Sequence, residues 1–239
     1  MRARVVAPLV AALLGITGGT VTALVTTDGK ESEKPSVLDD PLGLGIPKVT
    51  LECAPNQGVL VLGFGDTSPA LRTAIKDNPS GDPSYVDTSE SCDTIYGPER
   101  RTAPPKYAVI LGPFDDLIAP CRLRMDPVRR GDFVTALRSG NEMTVKCVCV
   151  LPPSADRPTL RPGLVRTEAN AVWVRSLQGM FSDILVDDFP QDWVTGVYDQ
   201  RTVDVVKNYQ RSSGRDVNGV VDDATWQLIT TRICDTYDF

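Results

Sequence analysis

The last third of the chain has a hydrophobic pattern that predicts three helices. Apolar side chains recur there three or four residues apart, which is the spacing of one face of a helix. The first helix is expected to begin near Glu168. The inner faces of the three helices are formed by these residues: Val172, Leu177, Met180 and Phe181; then Val205, Val206 and Tyr209; then Trp226 and Ile229.

Polar residues and glycines mark the ends of these helices. Asp199 is expected to cap the second helix, because its carboxylate can accept hydrogen bonds from the first free N–H groups. Gly214 is a natural stop, and the pair Asn218-Gly219 predicts a tight turn. Asp222 or its neighbour at 223 would cap the third helix. The pattern therefore predicts a three-helix bundle over residues 166–239.

The middle of the chain alternates short apolar runs with helical segments. This order predicts a strand–helix–strand unit that occurs twice, as in a small ferredoxin-like βαββαβ sandwich over residues 48–152. Residues 59–66 and 108–115 align with each other and support two halves. The fold class is thus α+β. Strands are predicted at 59–62, 85–86, 107–111 and 144–151, and helices at 69–75 and within 115–125.

The first residues resemble an export signal. Two arginines precede an uncharged stretch from residue 5 to 27, which is long enough either to be a cleaved signal peptide or to stay as a membrane anchor. Residues 28–47 are predicted to be a flexible linker, and residues 153–165 a proline-rich linker. The body is therefore expected outside the cytoplasmic membrane, either anchored with its N-terminus inside or secreted to the wall.

Composition excludes several classes of function. The net charge of −6 disfavours nucleic acid, which requires basic patches. The chain has no histidine, so the usual zinc, serine and cysteine hydrolase sites cannot form. A carboxylate mechanism is the remaining enzymatic alternative, with candidates Glu52, Glu90, Glu99 and Glu142. These glutamates lie in no recognisable motif, so no enzyme, catalytic residue, metal or cofactor is expected.

The chain has six cysteines. Behind an export signal an even number predicts disulfides, and six cysteines allow 15 pairings that sequence alone cannot separate. If all are paired, the last one links the two predicted domains. The alternative is an ion held by Cys147 and Cys149. The disulfide candidates are Cys53, Cys92, Cys121, Cys147, Cys149 and Cys234.

Several short blocks in the predicted bundle resemble the three-helix peptidoglycan-binding domain of bacterial cell-wall proteins. The blocks are Leu177-Gln178, residues 196–202, Tyr209-Gln210 and residues 218–228. The resemblance covers about residues 165–234, and the loop at 187–193 departs from it. It implies a peptidoglycan ligand, glycan or stem peptide, contacted by exposed residues near the start of the second helix. The candidates are Trp193, Tyr198, Asp199, Arg201, Gln210 and Asn218.

An alternative role is left open for two of these candidates, since Gln210 and Asn218 could instead form hydrogen bonds within the fold. In the middle region, residues 107–114 followed by a helix resemble the sporulation-related repeat (SPOR) domain. That resemblance implies glycan binding on an open sheet face. An open face requires alternating polar residues, whereas residues 59–62 and 108–111 are uniformly apolar and indicate strands that are buried on both faces.

The sequence therefore predicts a non-catalytic extracytoplasmic protein that binds peptidoglycan through its C-terminal module. Two alternatives remain: a wall hydrolase that uses carboxylates, or a scaffold that binds another envelope protein.

Overall fold

The structure is a computed structural model that describes residues 40–78, 81–96, 103–126, 133–138, 145–152, 157–184 and 193–235. All of these belong to one compact unit, Val37–Phe239. The predicted export segment 1–27 and most of the linker 28–47 lie outside the described residues. Within the described part of the chain, no helix is long and apolar enough to span a bilayer.

A five-stranded sheet forms the middle of the chain, here called the sheet domain. The elements are β1 (Lys48–Val49), β2 (Ala54–Gly65), α1 (Ser68–Lys76), β3 (Ser84–Asp87), a 3-10 turn (Asp93–Tyr96), β4 (Tyr107–Phe114), α2 (Ile118–Met125) and β5 (Phe133–Leu137). The strand order is β1-β3-β4-β2-β5. All neighbours are antiparallel except the short edge pair of β1 and β3. Without β1, this is the order of a ferredoxin-like βαββαβ sandwich.

Both faces of the sheet are buried. Alternate residues of β2 and β4 pack with α1 and α2, and the residues between them pack on the opposite face against Leu51, Cys92 and Ile95. On that opposite face Val59, Val61, Ala108 and Ile110 have no exposed surface. The prediction of doubly buried strands is confirmed. The open glycan-binding face implied by the SPOR resemblance is not present among the described residues.

Several strands and helices begin or end at residues other than those predicted from the sequence. Strand β2 continues past Gly63, and β4 continues as far as Phe114. Helix α1 takes Thr67 rather than Ser68 as its capping position, without a side-chain hydrogen bond. Helix α2 accommodates Pro120 near its start, where a proline is tolerated because the first N–H groups have no helical partner.

The predicted strand at 144–151 is wrong, because its second half is a single helical turn, α3 (Cys147–Val150). Cys147 bonds to Cys121 on α2, and Cys149 bonds to Cys234 at the far end of the chain. Residues two apart on a strand point to the same face, whereas in a helical turn they diverge. The turn therefore directs the two sulfurs towards different partners.

Three helices form the C-terminal module, as predicted: α4 (Glu168–Ile184), α5 (Gln200–Ser212) and α6 (Asp223–Cys234). Their inner faces are the apolar faces that the spacing identified. Leu177, Val206, Trp226 and Ile229 are completely buried. Gly214, just past α5, has a φ of 65°, which is the left-handed conformation expected after a helix.

The sheet domain and the C-terminal module share one hydrophobic core. The Cys149–Cys234 disulfide connects α3 to α6 across 85 residues. The guanidinium of Arg157 donates to the Val148 and Leu151 carbonyls at the end of α3, and burial lowers the pKa of Arg157. The segment after it also contacts the module, since Leu160 forms two backbone hydrogen bonds with Val221. The two parts are thus joined covalently and by packing.

Candidate functional site

The entry to α5 is a compact turn that we call the first turn unit, residues 193–199. The Thr195 N–H donates to the Trp193 carbonyl at 2.9 Å, so the chain folds back around Val194. The Thr195 hydroxyl then accepts the Val197 N–H at 3.1 Å. Gly196 follows with a φ of 74°, a conformation that glycine adopts without strain.

A buried glutamine on α4 holds this turn in place. Gln178 has no exposed surface. Its carbonyl accepts the Gly196 N–H at 2.9 Å, and its amide donates to the Val197 carbonyl at 3.1 Å and to the Thr202 hydroxyl at 3.0 Å. The glutamine therefore gives the buried Gly196 N–H its partner, and it adds a hydrogen bond to the Val197 carbonyl, which also accepts the Thr202 hydroxyl.

The entry to α6 repeats this arrangement in a second turn unit, residues 216–222. The Asn218 N–H donates to the Asp216 carbonyl at 3.1 Å, around Val217. The Asn218 side chain accepts the Val220 N–H at 2.8 Å. Gly219 has a φ of 71°. The second unit therefore has the same turns, in the same order, as the first.

Gln210 on α5 plays the part of Gln178. It is almost fully buried, accepts the Gly219 N–H at 2.9 Å, and donates to the Val220 carbonyl at 2.8 Å. It also donates to the Asn218 side chain at 3.1 Å. The two glutamines thus make the same contacts to the two glycine turns.

Each unit ends in an aspartate that caps the following helix. The carboxylate of Asp199 accepts the Thr202 N–H at 2.9 Å, and that of Asp222 accepts the Thr225 N–H at 2.8 Å. Both caps confirm the predictions. The backbone N–H of Thr225, and then its hydroxyl, hold the pKa of Asp222 below its usual value, because they stabilise the charged form.

Tyr198 connects the two units. Its hydroxyl donates to the Gly219 carbonyl at 2.9 Å, and its side chain is only 5% exposed. Burial raises the pKa of this hydroxyl well above its ordinary value. Tyr198 is therefore a buried structural contact that places the second unit beside the first.

Three of the six predicted ligand contacts are not on the surface. Tyr198, Trp193 and Gln210 are buried, so the expectation that they are exposed is wrong. Trp193 instead donates from its indole nitrogen to the Ser182 hydroxyl. The local hydrogen bond between Gln210 and Asn218, the alternative role, is present.

The other three candidates are exposed: Asp199 and Asn218 lie in the turn units, and Arg201 lies in the first turn of α5. The role of Gln178 in holding the first turn unit, and the duplication itself, were not predicted from the sequence. The signal was available, because Gly-Val-x-Asp-x-x-Thr occurs at residues 196–202 and again at 219–225.

A basic side chain lies over each of the two glycines. A Cβ atom placed on Gly196 would come within 3.0 Å of the Arg175 guanidinium, and one placed on Gly219 would come within 3.2 Å of the Lys207 Cε. Arg175 stands three residues before Gln178, and Lys207 stands three residues before Gln210. The equivalence of the units therefore extends to a half-buried cation beside each turn.

All six cysteines form disulfides: Cys53–Cys92, Cys121–Cys147 and Cys149–Cys234. The prediction of disulfides is confirmed, and the alternative of an ion held by Cys147 and Cys149 is wrong, because each sulfur is bonded to another cysteine. The group Cys53, Cys92 and Asp93 likewise has no free thiolate to offer a metal, because its two sulfurs are bonded to each other.

The comparisons with known proteins agree with this geometry. Residues 174–229 match the family model described as Putative peptidoglycan binding domain. No curated protein and no solved structure matches the chain. The matched range begins on α4 and ends on α6, and so contains both turn units and both glutamines. The C-terminal three-helix module is therefore similar to the peptidoglycan binding domain family over residues 174–229.

Proposed function

We propose that this protein is a non-catalytic, extracytoplasmic cell-wall protein that binds peptidoglycan through its C-terminal module. The observation that carries the proposal is the family match over residues 174–229, together with the duplicated turn surface that the module presents.

The cysteines support a location outside the cytoplasm. Six cysteines in three disulfides are typical of an oxidising compartment. The arginines and the uncharged stretch at the start of the chain point the same way. We propose that this segment directs export, and that it anchors the protein in the cytoplasmic membrane if it is not cleaved.

A binding role fits the side chains better than hydrolysis does. The chain contains no histidine. Among the candidate glutamates that the structure describes, Glu52 is exposed, and Glu90 forms a surface ion pair with Lys48 at 2.8 Å. A general acid must be positioned against the substrate, and exposed surface carboxylates are poorly suited to that role. Glu99 and Glu142 lie outside the described residues.

The direct test is co-sedimentation with insoluble purified peptidoglycan. The sample is the protein from residue 28 onward, which retains the whole compact unit. A fragment that begins near residue 165 is a poor test, because it would leave Cys234 without Cys149 and would open the shared core. We expect saturable binding that is reversed by peptidoglycan fragments released with a muramidase. If folded protein, verified by circular dichroism, stays in the supernatant at every concentration, the proposal is refuted.

A further inference from the structure

The two turn units expose an apolar side chain at the same place. Val194 and Val217 stand at the tips of the equivalent turns, 40% and 41% exposed. Four large apolar side chains among the described residues are exposed, and a third one, Val197, also belongs to a turn unit. The fourth, Val165, lies outside both units. Exposed apolar groups that cluster on a functional surface often mark a contact with a ligand.

The hydrogen bonds of the turns do not involve these valine side chains. They use the backbone, the flanking Thr195 or Asn218, and a glutamine. Because the Tyr198 hydroxyl bonds to the Gly219 carbonyl, the two turns stand side by side. The module thus presents two copies of one surface feature next to each other.

The charge beside each turn also repeats. Arg175 lies over Gly196 and Lys207 lies over Gly219, in a chain whose net charge is −6. Each unit therefore combines a small apolar tip with a cation. This combination suits a short peptide that carries methyl side chains and a free carboxylate, because the cation pairs with the carboxylate and the valine packs against a methyl group.

The same surface is poorly suited to sugar rings. Protein side chains that pack against sugar faces are commonly exposed aromatic rings with a polar edge. The aromatic residues of the first unit, Trp193 and Tyr198, are 4% and 5% exposed, and the second unit contains none. The glycan backbone is also neutral once its lactyl groups are joined to peptide, so it gives the two cations no partner.

We propose that the two turn units are equivalent contact points, and that each binds a peptide stem of peptidoglycan through its valine and its cation. This inference rests on the proposed function and names the part of the polymer that is recognised. Two adjacent weak contacts to one polymer gain affinity through their high effective concentration. The duplication would in this way produce useful binding from two small sites.

The test uses matched substitutions of exposed valines in the protein from residue 28 onward. Val194→Asp and Val217→Asp each remove an apolar tip and add a negative charge, and Val165→Asp makes the same change outside both units. We expect each turn variant to weaken binding to insoluble peptidoglycan by roughly 10-fold, and the double variant by roughly 100-fold. Val165→Asp is expected to bind like the unchanged protein.

The outcomes separate this inference from the proposed function. If the unchanged protein does not bind, the proposed function fails. If it binds and the double variant binds equally well, only the turn-unit inference is overturned. It is also overturned if one single variant abolishes binding and the other has no effect, since the units would then not be equivalent.

Two soluble competitors test the class of ligand. An alanine-ended acidic pentapeptide with free carboxylates is expected to displace the protein from peptidoglycan, and the same peptide with its carboxylates amidated is not. A tetramer of N-acetylglucosamine serves as the glycan probe. Displacement by this tetramer but not by the acidic peptide would overturn the assignment to peptide stems.

Discussion

Replacing Gln178 or Gln210 with leucine tests whether the two turn units depend equally on their buried glutamines. In Gln178→Leu the Gly196 N–H loses its partner at 2.9 Å and remains buried. The Val197 carbonyl and the Thr202 hydroxyl lose hydrogen bonds of 3.1 and 3.0 Å but keep a bond to each other at 3.4 Å. An unsatisfied buried group costs about 1–3 kcal/mol, and an ordinary hydrogen bond contributes about 1 kcal/mol. The free energy of unfolding of Gln178→Leu is therefore expected to fall by about 3 kcal/mol.

Gln210→Leu should lower the free energy of unfolding by the same amount, because it leaves the Gly219 N–H equally unsatisfied. The Val220 carbonyl keeps a hydrogen bond from the Thr225 hydroxyl at 3.3 Å. The matched control is Gln227→Leu, the same substitution at an exposed position of α6. A surface change of this kind alters stability by less than about 0.5 kcal/mol.

The assay is urea unfolding followed by tryptophan fluorescence. All three tryptophans of the chain lie at residues 173, 193 and 226, so the signal reports on the C-terminal module. The free energy of unfolding of each variant is compared with that of the unchanged protein at equal m-value. A loss below about 1 kcal/mol in either glutamine variant, or a difference above about 1.5 kcal/mol between the two, would contradict the reasoning.

Gly219→Ala should lower the free energy of unfolding, measured by thermal denaturation, by about 2 kcal/mol, because Gly219 has a φ of 71° and the new Cβ would lie 2.9 Å from a valine methyl. Gly214→Ala should lower it by only about 1 kcal/mol, because Gly214 has a φ of 65° but open space around it. Replacing Cys149 and Cys234 together with serine opens a loop of 85 residues and should lower the free energy of unfolding in guanidinium by about 4 kcal/mol; an unchanged midpoint would refute this. The lowered pKa of Asp222 stabilises the folded state at pH values above 3.8, the ordinary pKa of an aspartate. This contribution is lost as the pH falls through the native pKa, which lies below 3.8. The difference in unfolding free energy between the unchanged protein and Asp222→Asn should therefore be constant from about pH 5 to about pH 7 and smaller at about pH 3.

Local signals predicted much of the C-terminal module. The caps Asp199 and Asp222 act on N–H groups three residues away, and the start of α4 at Glu168 follows from helical spacing. The doubly buried strands were also predictable, since uniformly apolar runs leave no polar face. These features depend on residues that are close together in the sequence, so they can be predicted from one sequence alone.

The errors arise where the partner is distant in the chain. The aromatic ring of Tyr198 looked available to a ligand, but its hydroxyl is used by Gly219. The run around Cys147 has the apolar, β-branched composition of a strand, but it forms a helical turn whose two cysteines bond to α2 and α6. Because six cysteines allow 15 pairings, that constraint becomes visible only in the folded chain.

The most direct test of peptidoglycan binding through the paired turns is a nuclear magnetic resonance titration. Backbone amide resonances of the protein from residue 28 onward are followed while soluble disaccharide-peptide fragments of peptidoglycan are added. Amide resonances of residues 193–199 and 216–222 are expected to shift together, along one saturating curve, while those of the sheet domain do not shift. Binding through the paired turns is contradicted if the fragments leave the resonances of both turns unchanged, or if the shifts concentrate on the sheet domain.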